Sequence, residues 1–178
     1  RRLANEGLAV TRENRRTYVA EPNAREFRQI FDVLVMLEGY SAEQSAATIT
    51  FKQLEQLRKL NAKMAKLDMD VLDDRVRFLD LNFQFHHLVH SASGNTRIAD
   101  IIGSLIDFTR FLMVKHGEIN REQAKKAIFE HNDIIKALEE RNGSLAKLSM
   151  QLHREAIRSG FTRLWGDLET ADGGDSGK

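Results

Sequence analysis

The segment 78-FLDLNFQFHHLVHSASGN-95 puts metal-binding side chains at a helical spacing. At roughly 100° per residue, Phe78, Leu81, Phe85 and Val89 define one apolar arc. Asn82 and His86 fall inside that arc, one turn apart, where hydrocarbon is expected. The same test applied to the segment after Asn120 gives an arc of Ala127, Ile128, Ile134, Ile135 and Leu138, with His131 near its middle. After Ser144 the arc is Leu145, Leu148, Leu152, Ala156 and Ile157, with Ser149 and His153 inside it. Three of the six histidines therefore point inward from three different helices, accompanied by Asn82. A buried imidazole without a partner costs about 1–3 kcal/mol. One divalent cation would satisfy all three rings through one nitrogen each and leave room for water or a small anion. A hydrogen-bonded polar cluster is the other reading, and the pattern leaves both open. His87 lies on the polar side of its helix and His116 in a turn. His90, at the edge of the apolar arc, is a possible substitute ligand.

Enzyme signatures are missing. There is no H-E-x-x-H, no G-x-S-x-G and no phosphate-binding glycine loop. The Glu-x-x-His pairs of di-iron bundles are absent too. Glu130 and His131 are adjacent, which splays them by roughly 100°. No spare carboxylate is evident on the three histidine faces to serve as a general base. A metal-dependent small-molecule enzyme on a helical bundle is the alternative function, and a structural bundle with a polar core cluster is a third. Bound metal separates the third from the others, and turnover separates the second.

Elements that could position these residues follow from the punctuation. The chain has 178 residues, one proline and no cysteine, with 42% hydrophobic and 30% charged residues. That is long enough for one well-buried domain and too apolar for disorder. Without cysteine, disulfides and thiolate metal sites are excluded. No run reaches the roughly 18 apolar residues that a membrane span needs, so the expectation is a cytoplasmic protein with no membrane contact. Asn23 with Glu26, Thr50 with Gln53 and Asn120 with Gln123 have capping-box spacing. They launch helices to about Ile49, Leu67 and Arg141. Further helices are expected over 71–92, over 96–115 and from Ser144 to about Leu168. The fold expected is all-α, an antiparallel bundle of about six helices. It is preceded by a short β-hairpin, 8-LAVTRENRRTYVA-20. Residues 1–20 hold five arginines against Glu6 and Glu13, a locally basic end suited to a polyanion.

Phe85-His86 followed by Ser93-Gly94-Asn95, then 130-EHNDIIKAL-138, then Ala146 and His153 form an ordered set. It resembles the FCD effector-binding domain of GntR-type bacterial transcription regulators, in the six-helix variant named for VanR. The start, RRLANEGLAVTRENRRTYVAEPN, resembles the close of that family's winged helix-turn-helix: a recognition-helix end and a wing. The resemblance implies residues 1–22 as the end of the DNA-binding domain, 23–168 as the effector-binding domain and 169–178 as a flexible tail. It implies a divalent transition metal (zinc, nickel or manganese) on Asn82, His86, His131 and His153. It further implies a small carboxylate effector, a DNA operator as partner of the intact protein, and a homodimer. Thr109 and Arg110 on the fourth helix are the expected effector contacts, and Arg15 and Arg16 at the wing the expected DNA contacts. Three positions depart from the family pattern. Asn82 stands where aspartate is frequent, Leu34 where an arginine precedes the 37-LE-38 pair, and Thr17 where the wing usually has glycine.

Overall fold

A computed structural model describes the backbone over 9–11, 17–19, 24–116 and 119–172, and side chains over 25–107 and 119–159. Two short strands, β1 (Ala9–Thr11) and β2 (Thr17–Val19), pair antiparallel with Ala9 opposite Val19 and Thr11 opposite Thr17. The turn between them, with Arg15 and Arg16, lies outside the described residues. Among the described residues six helices follow: α1 (Ala24–Thr48), α2 (Phe51–Met64), α3 (Leu72–Ala92), α4 (Thr96–His116), α5 (Arg121–Glu139) and α6 (Gly143–Asp172). This is the all-α bundle that the periodicity predicts.

Two of the expected capping boxes are formed. Gln53 N donates to Thr50 Oγ1 at 3.3 Å while Thr50 N donates to Gln53 Oε1 at 2.9 Å. Gln123 N donates to Asn120 Oδ1 at 2.9 Å, and Asn120 N donates to Gln123 Oε1 at 3.0 Å. Each box satisfies two amide groups that a helix start leaves without partners. Asn23, expected to cap α1, lies outside the described residues. No side chain caps α3 at Val71, but Asp73 and Asp74 in its first turn complement the positive end of the helix dipole. Helix α2 stops at Met64, short of the expected Leu67. Helix α6 runs to Asp172, a turn into the segment expected to be a tail.

Most of the buried apolar residues described form one cluster. Phe78, Phe85 and Val89 of α3 meet Leu57, Leu60 and Met64 of α2, Ile134 and Leu138 of α5, and Ala146 and Met150 of α6. A smaller cluster joins Leu34 of α1 to Ile102 and Ile106 of α4. Leu34 is fully buried there, so this position is filled with hydrocarbon where the resemblance leads to an expectation of arginine.

Helices α1 and α6 lie antiparallel along each other. Arg158 Nη1 reaches Asp32 Oδ1 at 2.9 Å near one end, and Lys147 Nζ reaches Glu43 Oε2 at 3.2 Å near the other. Two glycines allow the close approach. A Cβ on Gly39 would sit 2.7 Å from Gln151 Cγ, and one on Gly143 would sit 3.1 Å from the Glu43 carbonyl oxygen. This packing corrects the expected inner face of α6. Leu148 and Leu152 are 52% and 60% exposed and Leu145 is 38% exposed, whereas Ala146, Met150, His153 and Arg154 are buried. The reason is geometric: α6 is held between α1 and α5, so the Ala146-Met150-His153 stripe turns inward and the leucine stripe faces out.

Candidate metal centre

The stripe Phe78-Asn82-Phe85-His86-Val89 of α3 is buried as its spacing requires, and it carries Asn82 and His86 into the core with it. Helix α5 buries His131 among Ile134, Ile135 and Leu138. Helix α6 buries His153 one turn after Met150. The three rings meet. One nitrogen from each of His86, His131 and His153 lies within 4.8 Å of the other two. His86 Nε2 and His153 Nε2 are 3.2 Å apart, with ring planes inclined by 19°. Phe85 stacks on His131 at 4.0 Å between ring centroids, which holds that ring against rotation. Asn82 is buried one turn before His86, and its Oδ1 has no hydrogen-bond partner among the described residues.

The other nitrogen is hydrogen-bonded in two of the three rings, and in His86 it stands at ion-pair distance from a carboxylate. Asn61 of α2 donates through Nδ2 to the Ile128 carbonyl at 3.0 Å and to Asn132 Oδ1 at 2.8 Å. Its Oδ1 is therefore the acceptor that faces His131 Nδ1 at 3.2 Å. His131 then carries its proton on Nδ1, and its Nε2 is a bare lone pair with no partner among the described residues. His153 Nδ1 lies 2.7 Å from Glu130 Oε2, which assigns that ring the same tautomer. His86 Nδ1 lies 3.3 Å from Glu38 Oε2. His131 and His153 thus present Nε2 as acceptors, and the tautomer of His86 decides whether its Nε2 donates to His153 or adds a third lone pair.

Protonation does not relieve this arrangement. Burial pushes the His86 pKa well below the ordinary 6.5, reinforced by the nearby Arg154 charge. His131 is lowered well below the same value by burial and by the two neighbouring histidines. His153 is lowered by burial despite its contact with Glu130. Neutral imidazoles that converge are the donor set that a divalent transition ion takes, and a buried oxygen without a partner among the described residues, Asn82 Oδ1, stands one turn before His86 on the same helix. The residues present fit such an ion.

Around this set lies a buried ionic group that the sequence did not reveal. Glu38 of α1 is fully buried. Its Oε2 lies 2.8 Å from Arg154 Nε and 3.1 Å from His90 Nε2, and its Oε1 lies 2.6 Å from Arg154 Nη2. Burial alone would raise the Glu38 pKa, but Arg154, His90 and His86 outweigh it and hold the carboxyl well below its usual value. One expectation is corrected here. Carboxylates do adjoin the histidines: Glu130, because splaying from His131 aims it at His153 on α6, and Glu38, which comes from a fourth helix. His90, expected as a possible substitute ligand, is 2% exposed and paired with Glu38, and with Glu38 and His86 it forms a second buried group of donors within 4.8 Å. His87 is exposed, as its position on the polar side predicts. The backbone of Thr109 and Arg110 lies on α4, and their side chains are outside the described residues, as is that of His116.

Comparison with known proteins follows this geometry. Residues 29–156 match the FCD domain. Over 160 residues the chain is 26% identical to the HTH-type transcriptional repressor RspR of Escherichia coli (strain K12), covering 88% of this chain and 67% of that protein. The uncharacterized HTH-type transcriptional regulator YdfH of Shigella flexneri matches equally, at 26% over 160 residues and the same coverage of 88% and 67%. Among solved structures, E. coli McbR/YncC superposes with TM-score 0.76 at 14% identity, over 93% of this chain and 81% of that one. Streptococcus agalactiae GntR gives TM-score 0.64 at 22% identity, over 89% and 77% of the respective chains. A GntR-family regulator from Pseudomonas syringae pv. tomato str. DC3000 gives 0.70 at 15%, over 96% and 70%. At these identities the structural likeness establishes the fold. The family match spans most of the chain and contains every one of the converging histidines, so the protein belongs to the FCD-domain family of GntR-type transcription regulators, a family of regulators rather than enzymes.

Proposed function

We propose that residues 23–168 are the effector-sensing part of this regulator, holding a divalent transition ion (zinc, nickel or manganese) on Asn82, His86, His131 and His153. The ion would supply a positively charged open coordination position suited to a small carboxylate effector. Support for this reading comes chiefly from one observation, the convergence of one nitrogen each from the buried His86, His131 and His153 within 4.8 Å, with His131 Nε2 left without a partner among the described residues. A shared cation would satisfy all three nitrogens at once. Asn82 in place of a carboxylate leaves the ligand set neutral, so the ion keeps its full charge toward an anion.

On this reading, Thr109 and Arg110 of α4 contact the effector. Arg15 and Arg16 contact phosphate or the minor groove of a DNA operator, which positions the protein rather than reading its sequence. The intact protein acts in the cytoplasm as a homodimer, so that two recognition helices meet two half-sites. Effector binding shifts the balance between arrangements of the DNA-binding parts, by as much as its affinity differs between them.

Metal analysis of the purified chain by mass spectrometry tests the centre. Near one equivalent of a transition metal in the native chain, lost in both His131→Ala and His153→Ala, is the expected result. No uptake after reconstitution with zinc, nickel and manganese would overturn it. Calorimetric titration of small mono- and dicarboxylates into the loaded protein then tests the effector class, with loss of binding expected in Arg110→Ala.

A further inference from the structure

Glu38 occupies an unusual place. A single oxygen, Oε2, faces three nitrogens from two helices: Arg154 Nε at 2.8 Å, His90 Nε2 at 3.1 Å and His86 Nδ1 at 3.3 Å. The carboxylate is fully buried, and its second oxygen is 2.6 Å from Arg154 Nη2. An ionised carboxylate has no proton to give, so a nitrogen that bonds it is a donor. The approach to His86 Nδ1 is an ion-pair distance without a hydrogen bond, and the negative charge there favours a proton over a lone pair on that nitrogen.

The alternative tautomer is close at hand. With its proton on Nε2, His86 would donate across the 3.2 Å gap to the lone pair of His153 Nε2. That hydrogen bond would satisfy both rings without any ligand and would close the centre. Glu130, through His153 Nδ1, fixes only the other half of the pair. It is the Glu38 contact that decides whether the two histidines bond to each other or both stay open.

We propose that Glu38 is a positioning residue which, held by Arg154, keeps the His86 proton on Nδ1 and so prevents His86 and His153 from satisfying one another. The pair ties a fourth helix, α1, to a centre whose own ligands stand on α3, α5 and α6. The helix concerned is the one that follows the β1–β2 strands in the chain. The role of Glu38 toward a bound ion rests on the metal reading above; its role in setting the tautomer does not.

The test uses the full chain and its Glu38→Met/Arg154→Met double variant, which removes the ion pair while keeping side-chain bulk. Long-range nitrogen–proton NMR correlations report which ring nitrogen of His86 is protonated in the metal-free protein. Zinc affinity is measured alongside, by competition with a chelator. Nδ1–H in the parent, Nε2–H in the double variant and a zinc affinity lower by about 10–100-fold in the variant are expected. Nε2–H on His86 in the unaltered parent overturns the proposal, and this reading needs no variant to fold. A folded double variant with unchanged tautomer and unchanged zinc affinity also overturns it, leaving Glu38 only as the counter-charge of Arg154. A parent that binds no zinc defeats the metal reading alone, since the tautomer still decides the role of Glu38.

Discussion

His86 and His153 face each other Nε2 to Nε2 at 3.2 Å, and the far nitrogen of each ring meets a carboxylate, Glu38 for one and Glu130 for the other. The contact joins α3 to α6 in the middle of the core. With His153 Nε2 an acceptor, the pair is satisfied when His86 carries its proton on Nε2; with that proton on Nδ1 two lone pairs face each other, and a positive charge between them is favoured.

Metal addition is therefore expected to stabilise the fold. An ion that binds only the native state adds about 4 kcal/mol when its free concentration is a thousand times Kd. Thermal unfolding with and without saturating zinc measures this. The midpoint is expected to rise in the parent and to stay put in His131→Ala and His153→Ala. A parent midpoint indifferent to zinc, nickel and manganese alike argues against the centre.

Glu130→Gln keeps the shape of the side chain and removes its charge. Glu130 is 18% exposed at the side chain and sits at the edge of the centre. Its loss is expected to lower metal affinity by about 10–100-fold through a weaker hold on His153. Chelator competition reads this directly. An unchanged affinity would mean that the 2.7 Å contact does not orient the ring.

Arg154→Met alone leaves the fully buried Glu38 carboxylate without its main counter-charge. Breaking a buried pair from one side costs about 3–5 kcal/mol, while replacing both partners by apolar groups is often neutral or stabilising. Denaturant unfolding of the single variant and of Glu38→Met/Arg154→Met should show this contrast. A single variant as stable as the parent would indicate that water reaches Glu38.

Phe85→Ala should cost about 3–5 kcal/mol, as for other large buried aromatics. It should also weaken metal binding, because the ring stacked at 4.0 Å on His131 is gone. Phe85→Leu should recover most of the stability and little of the affinity. Equal recovery of both would reduce Phe85 to filler.

Leu148→Gln and Leu152→Gln provide a check on α6. Both residues are more than half exposed, at 52% and 60%. Each change is expected to shift the stability of the single chain by no more than about 0.5 kcal/mol. The wheel reading of α6 would instead demand about 2–5 kcal/mol for each, the usual cost of losing a buried leucine. Urea titration under dilute, monomeric conditions decides between them.

Local chemistry was enough to write much of this structure. Apolar periodicity defines all six helices, and the Thr50–Gln53 and Asn120–Gln123 boxes start two of them where expected, because capping involves only residues three apart. Inward histidines on α3 and α5 are legible for the same reason, since a buried helix face is a property of one segment. The sequence alone could not say how α6 is rotated. Its leucine stripe and its Ala146-Met150-His153 stripe are both regular, and only the simultaneous packing against α1 and α5 turns one of them inward. Nor could it reveal what holds the rings. His131 depends on Asn61, 70 positions away, and His90 on Glu38, 52 positions away. Glu38 reads locally as one more acid in an amphipathic helix. It becomes a buried anion only when α3 and α6 bring His86, His90 and Arg154 against it, and a charge is tolerated in a core only where tertiary packing supplies its donors.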